Sequence, residues 1–124
     1  MPINNQEFFN ESVTKIYAQG HQSADHGGVC FYRQPDGNGA CAIGVCIPDN
    51  LYQSKMETTR ICPLLNNFPN LREYFAGVNV CLMSKMQDTH DWWDTNAGDF
   101  RTYWKQQAEK IALAFDLTMP ELEN

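Results

Sequence analysis

The amino-acid sequence predicts an α+β fold: a single compact, helix-rich domain with one small antiparallel β-hairpin packed on the helices. The chain has 124 residues, one domain's length, and 43% of them are hydrophobic, which is enough to build a core. Apolar residues recur at helical spacing in several segments. Between two of these segments, dense turn chemistry separates two short runs that favour strands. No repeat or linker divides the chain, so residues 1–124 are expected to form one domain.

Capping residues and apolar periodicity predict five helices. Asn4, with Glu7 three residues later, has the pattern of a capping box, and Gly20 is a stop signal. The first helix is therefore expected over about 5–19. Asp99 can cap the last helix. The other predicted helices cover about 50–56, 70–77, 79–91 and 99–116.

The segment 29–46 predicts the hairpin. Residues 29–34 are rich in β-formers, residues 35–39 combine a proline with two glycines, and residues 40–45 are small and apolar. A two-stranded hairpin is marginally stable alone, so it must pack on the helices. Gly44, inside the second run, indicates a bulge or a close approach of two backbones. The hairpin residues expected in the core are Val29, Phe31, Ile43 and Val45.

Composition and charge favour a cytoplasmic protein that neither crosses a membrane nor binds nucleic acid directly. No apolar run approaches the roughly 20 residues that span a bilayer, and the N-terminus lacks the pattern of a signal peptide. The five cysteines are an odd number, which argues against a disulfide framework. The net charge is −6, and residues 88–124 hold eight acidic and three basic residues. Binding to a phosphate backbone is therefore disfavoured, whereas a basic protein surface suits this charge.

Histidines and cysteines cluster in one part of the sequence and raise the hypothesis of a zinc site. Five competent ligands lie within 26 residues: His21, His26, Cys30, Cys41 and Cys46. Structural zinc takes four nitrogen or sulfur ligands in a tetrahedron. No C-x-x-C pair is present, and Cys41 and Cys46 would point to opposite faces of a regular strand. We therefore expect no cofactor; the alternative is a zinc ion bound by Cys30, Cys41, Cys46 and His26.

A second hypothesis is thiol catalysis on a small molecule, with Cys30 or Cys41 as the nucleophile and His90 as the base. A catalytic cysteine needs a base, and the base needs an orienting group. His90 lies on the apolar face of its predicted helix, next to Asp91. The alternative is that these residues belong to the core, because free cysteine is among the most buried residue types. The rim of a catalytic pocket would be formed by Tyr32, Arg33 and Asp36.

The stretch from Asp88 to Asp94 predicts a protein-binding surface. Asp88, Asp91 and Asp94 follow each other at i, i+3 and i+6, the spacing of one helical face. Trp92 and Trp93 are adjacent, so a helix cannot bury both equally. An exposed aromatic side chain flanked by acidic residues is typical of a protein interface. The alternative is a helix end whose tryptophan closes the core, with solvated aspartates around it.

Two blocks of sequence resemble a pattern found in small uncharacterised proteins of phages and prophages. The first block has C-x-Y-R at 30–33, P-D-G at 35–37, C-A-I-G at 41–44 and I-P-D-x-x-Y at 47–52. The second is Gln87-x-x-His90-Asp91. The resemblance carries no function of its own, but it implies a phage or prophage setting. Small acidic phage proteins often bind and block a host component, so we expect a small accessory protein in the host cytoplasm that binds a host or defence protein.

Overall fold

A computed structural model describes residues 2–22, 32–34, 39–57 and 61–122 of the chain. These ranges contain five α-helices and three short 3₁₀-helices. The α-helices are α1 (Asn5–Gln19), α2 (Ile61–Asn67), α3 (Pro69–Tyr74), α4 (Val80–Asp91) and α5 (Phe100–Ala114). The 3₁₀-helices are Gly44–Cys46, Ser54–Met56 and Thr95–Ala97. No helix in the described ranges is long and apolar enough to cross a membrane.

The predicted β-hairpin, and with it the α+β fold class, is wrong for the part of the chain that the structure describes. One isolated antiparallel bridge pairs Arg33 with Ala40, but residues 32–34 and 39–57 contain no strand. The expected second strand instead turns into the 3₁₀-helix Gly44–Cys46. Its backbone bonds locally, because the amide of Val45 donates to the Cys41 carbonyl at 3.0 Å. A short run of small apolar residues suits a buried helical turn as well as a strand.

The hairpin residues that were expected in the core have different positions. Ile43 is fully buried and Val45 is half-buried, although neither lies in a strand. Val29 and Phe31 lie outside the described residues.

The helices follow local sequence signals closely. In α1, the Asn4 side chain accepts a bond from the Glu7 amide at 2.8 Å, and the Glu7 carboxylate accepts one from the Asn4 amide at 3.0 Å. Helix α2 corresponds to none of the helices predicted from the sequence, and it contains Pro63. Proline is tolerated in the first turn of a helix, where its missing N–H has no intrahelical partner. Of the predicted helix over 50–56, the structure has only the 3₁₀-helix Ser54–Met56.

In the core, α5 packs against both α1 and α4, and the segment 41–47 packs against α1. Trp104 of α5 is fully buried, and its indole N–H donates to the Val13 carbonyl at 3.2 Å. The Ser12 hydroxyl, also buried, donates to the Ala42 carbonyl at 2.7 Å. These two bonds connect α1 to α5 on one side and to the segment 41–47 on the other.

Gly44 permits the close approach of two backbones that the sequence suggested. A Cβ atom at this position would lie 1.8 Å from the Tyr32 carbonyl oxygen. The same oxygen accepts a hydrogen bond from the Cys41 amide at 3.2 Å. Residues 32–34 therefore lie directly on the turn that begins the 3₁₀-helix.

Candidate functional site

One face of α4 is exposed along the whole helix. Cys81, Lys85, Asp88 and Trp92 follow each other at i, i+4, i+7 and i+11, so they form one line on the helix surface. All four are exposed, and Trp92 exposes 69% of its surface. We call these four residues the outer stripe. The opposite face of α4 supplies buried core residues, which are Leu82, Met83, Met86, Thr89 and His90.

The two adjacent tryptophans have different environments, as their spacing predicts. Trp93 is half-buried, and its ring packs edge-on against Phe100 with 5.4 Å between ring centres. The Trp93 indole N–H donates to the Gly98 carbonyl at 3.0 Å. Trp92 instead points to solvent, with the Lys85 ammonium 5.8 Å from the centre of its ring. Trp93 therefore completes the core, and Trp92 remains accessible.

The three aspartates of the predicted acidic face do not lie together. Asp88 is exposed on α4, and Asp94 is exposed beyond the end of α4, where its carboxylate accepts a bond from the Asn96 amide at 2.9 Å. Asp91 is half-buried and directs its carboxylate toward Gln87 and His90. Two of the three predicted carboxylates are thus available to a partner, and the third supports the interior.

A buried histidine forms a polar contact with a half-buried carboxylate at the end of α4. His90 has no exposed surface, and its Nδ1 lies 2.8 Å from the Asp91 carboxylate. Since an ionised carboxylate can only accept, Nδ1 carries the hydrogen of this bond. The His90 ring packs edge-on against Phe100 and Trp104, with ring centres 6.1 and 6.4 Å away. This arrangement resembles the base and orienting group of a catalytic dyad, but aromatic side chains enclose it.

Two glutamines connect the end of α4 to distant parts of the chain. The Gln87 amide donates to Asp91 at 2.9 Å and accepts from the Ile43 amide at 3.2 Å. The Gln22 side chain donates to the carbonyls of His90 and Asp91, both at 3.0 Å, and to that of Trp93 at 3.2 Å. The i, i+4 spacing of Gln87 and Asp91 was a visible signal. Nothing in the local sequence marks Gln22 as a partner of α4.

Cys41 and Cys46, two candidate site residues, are buried in the core. Cys41 is 1% exposed, and its sulfur accepts a bond from the Gly44 amide at 3.4 Å. Burial raises the pKa of the Cys41 thiol to about 12, so it is protonated at neutral pH. Burial also raises the pKa of the Cys46 thiol, which lies 3.7 Å from the Phe8 carbonyl. A reactive cysteine needs the opposite shift, toward a low pKa.

The zinc hypothesis receives no support from the described residues. Among them, no three His, Cys, Asp or Glu side chains are arranged to hold a metal ion. Cys41 and Cys46 are buried, whereas His21 is exposed. His26 and Cys30 lie outside the described residues, so a zinc site or a catalytic site that uses them stays a prediction.

Arg33, expected at the rim of a pocket, is held by several contacts. Its guanidinium forms an ion pair with Asp49 at 2.9 Å and lies 4.5 Å from the centre of the Tyr52 ring. The Glu57 carboxylate accepts bonds from the Arg33 amide at 3.1 Å and from the Tyr52 hydroxyl. Tyr32 is buried, and its amide donates to Glu57 at 2.8 Å. Arg33 thus joins residues 32–34 to the segment 47–57; Asp36 lies outside the described residues.

Comparison with known proteins adds no family. No protein-family model, curated protein or solved structure matches this chain. The resemblance to phage and prophage proteins therefore depends on its two sequence blocks and stays a prediction.

Proposed function

We propose that this protein is a small accessory protein of a phage or prophage that binds a host or defence protein. The proposed contact surface, called here the interface patch, consists of Asp88, Trp92 and Asp94. The observation that carries the proposal is the 69% exposure of Trp92 at the end of α4. A large aromatic side chain left in water by a monomer is a common anchor of protein interfaces.

The exposed surface of Trp92 is large enough to contribute substantially to affinity. An aromatic side chain buries about 150–250 Å² when it is fully covered. The exposed 69% therefore offers roughly 100–170 Å² to a partner. Truncating a buried aromatic anchor of an interface costs about 2 kcal/mol or more, which is on the order of 100-fold in affinity.

The charges around Trp92 define the partner's surface. Asp88 and Asp94 are exposed on either side of it in sequence, and Asp99, the N-cap of α5, is exposed as well. Lys85 supplies the one basic side chain in contact with the Trp92 ring among the described residues. The best complement is an apolar pocket surrounded by lysines and arginines, because complementary charge steers association and selects the partner.

A matched pair of alanine variants tests the proposal. The tagged protein captures a partner from host lysate, the partner is identified by mass spectrometry, and binding is then measured with the purified partner. Trp92→Ala should weaken binding about 100-fold. Leu113→Ala removes another exposed apolar side chain, 85% exposed on α5, and should bind like the wild type. Equal loss in both variants, or in neither, would contradict the interface patch.

Charge-changing variants test the electrostatic part separately. Asp88→Asn and Asp94→Asn should each slow association and reduce its dependence on salt, because both carboxylates are exposed. Asp91→Asn is a poor interface probe, since Asp91 bonds to His90 inside the protein. If both exposed variants associate at the wild-type rate at low salt, the partner's surface is not basic.

Thiol chemistry at Cys41 is the second candidate function, and the His90–Asp91 pair at 2.8 Å is the observation that favours it. The raised pKa of the buried Cys41 thiol opposes it. Iodoacetamide labelling at neutral pH distinguishes thiol catalysis from the binding function. A Cys41 thiol that reacts faster than a free thiol would support catalysis. Labelling of Cys41 only after unfolding would leave binding as the function.

A further inference from the structure

We infer that the outer stripe of α4 also binds a second copy of this chain, as an antiparallel pair of α4 helices related by a two-fold axis. This inference goes beyond the proposed function, although both use Trp92. It follows from the order of the four side chains along the stripe: small, basic, acidic, aromatic.

The outer stripe is straight and accessible. At about 100° per residue, Cys81, Lys85, Asp88 and Trp92 fall within about 60° of one another around the helix axis. The stripe extends roughly 16 Å from Cys81 to Trp92. All four side chains are exposed, so all four are accessible to a second copy of the chain.

The stripe complements itself only in the antiparallel orientation. A two-fold axis between residues 86 and 87 places Lys85 opposite Asp88 of the second copy, and Cys81 opposite Trp92 of the second copy. Each contact occurs twice, as an isologous interface requires. A parallel pair would set Lys85 against Lys85 and Asp88 against Asp88, which is unfavourable.

The charges of the stripe are available for this pairing. Within the described part of the chain, neither Lys85 nor Asp88 forms an ion pair. At the ends of the interface, each Trp92 ring covers the region around Cys81 of the other copy.

The small area of the stripe makes the dimer weak. Helix α4 has 12 residues and is about 18 Å long. One face of such a helix covers about half of the roughly 800 Å² per partner that a standard interface buries. The dimer should therefore form with rising concentration and give way to a tighter partner at Trp92. Self-association then covers Trp92 when no partner is present.

Charge exchange tests the pairing in purified protein without any partner. Sedimentation velocity of the wild type, from low micromolar to submillimolar concentration, should shift from monomer to dimer. Lys85→Asp and Asp88→Lys each create like-charge contacts and should weaken dimerisation about tenfold or more. The double variant Lys85→Asp/Asp88→Lys restores both ion pairs and should recover wild-type behaviour. Circular dichroism confirms that each variant is folded.

Cross-linking gives a second, independent readout. In the antiparallel pair, the two Cys81 sulfurs lie roughly 16 Å apart along the helix axes, so a bismaleimide of that reach should capture the dimer. Cys81→Ser should abolish that product. A wild type that stays monomeric, single variants that dimerise like the wild type, or a folded double variant that fails to recover would each overturn the inference. Partner capture through Trp92 is measured separately, so either idea can fail alone.

Discussion

Replacing Gly44 with alanine tests the described glycine that leaves least room for a side chain. The added Cβ would lie 1.8 Å from the Tyr32 carbonyl oxygen, whereas ordinary van der Waals contact begins near 3.4 Å. The backbone at Tyr32 or at the 3₁₀-helix Gly44–Cys46 must therefore move by more than an ångström. That movement breaks the bond from the Cys41 amide to the Tyr32 carbonyl, now 3.2 Å long.

The cost can be worked out from these contacts. Overpacking a well-packed site costs about 1–3 kcal/mol. Losing one buried hydrogen bond adds about 1 kcal/mol. Alanine restores up to about 1 kcal/mol, because glycine loses more backbone entropy on folding. The free energy of unfolding should therefore fall by about 1–4 kcal/mol, which lowers the melting temperature by roughly 4–16 °C for a domain of this size.

Urea and thermal unfolding, followed by circular dichroism, measure the effect. Gly98→Ala provides a comparison in which backbone strain acts without a steric clash, since its Cβ would meet no atom within 4 Å but its φ is 89°. Such strain costs about 1–3 kcal/mol, so the effect of Gly44→Ala is judged against the wild type. If Gly44→Ala unfolds within about 0.5 kcal/mol of the wild type, the close approach to Tyr32 is not a feature of the folded protein.

Three further predictions concern stability. Ser12→Ala should cost about 1–2 kcal/mol in urea unfolding, because it removes the buried bond to the Ala42 carbonyl; Ser12→Thr, which keeps the hydroxyl, reports the added methyl group separately. Gln22→Ala should lower the free energy of unfolding by about 1 kcal/mol and speed amide exchange at the end of α4, because it removes the bonds to the His90 and Asp91 carbonyls. Unchanged exchange there would show that these bonds do not hold the helix end. Burial raises the pKa of the Cys41 thiol from 9.0 to about 12. Between these pH values the thiol ionises more readily in the unfolded chain than in the folded protein, so the free energy of unfolding should fall as the pH rises, and less steeply in Cys41→Ala.

Much of the helical structure could be predicted because its signals are local. The capping box of Asn4 and Glu7 begins α1, and the Asp99 side chain caps α5 by accepting a bond from the Thr102 amide at 3.1 Å. Such contacts involve residues three positions apart, so a sequence pattern describes them completely. Helix α2 is the exception: it was not predicted, and it accommodates Pro63 in its first turn, where a proline is tolerated.

The path of residues 39–47 could not be predicted in the same way. Its small apolar residues have no strong preference between a strand and a helical turn. The outcome depends on partners far away in sequence: Ser12 binds the Ala42 carbonyl, and Gln87 binds the Ile43 amide. The sequence marked Gly44 as a place of close backbone approach, but it did not indicate which backbone approaches.

The candidate site could likewise be predicted only in part. From the sequence alone, one could say that Trp92 and Trp93 would differ in burial and that aspartates would surround them. Only the tertiary structure decided that Trp92 is the exposed one and that Asp91 turns inward to His90, because the packing of Phe100 against Trp93 and His90 sets the rotation of the end of α4. Local bonds determine where a helix begins and ends; long-range packing determines which of its side chains reach solvent.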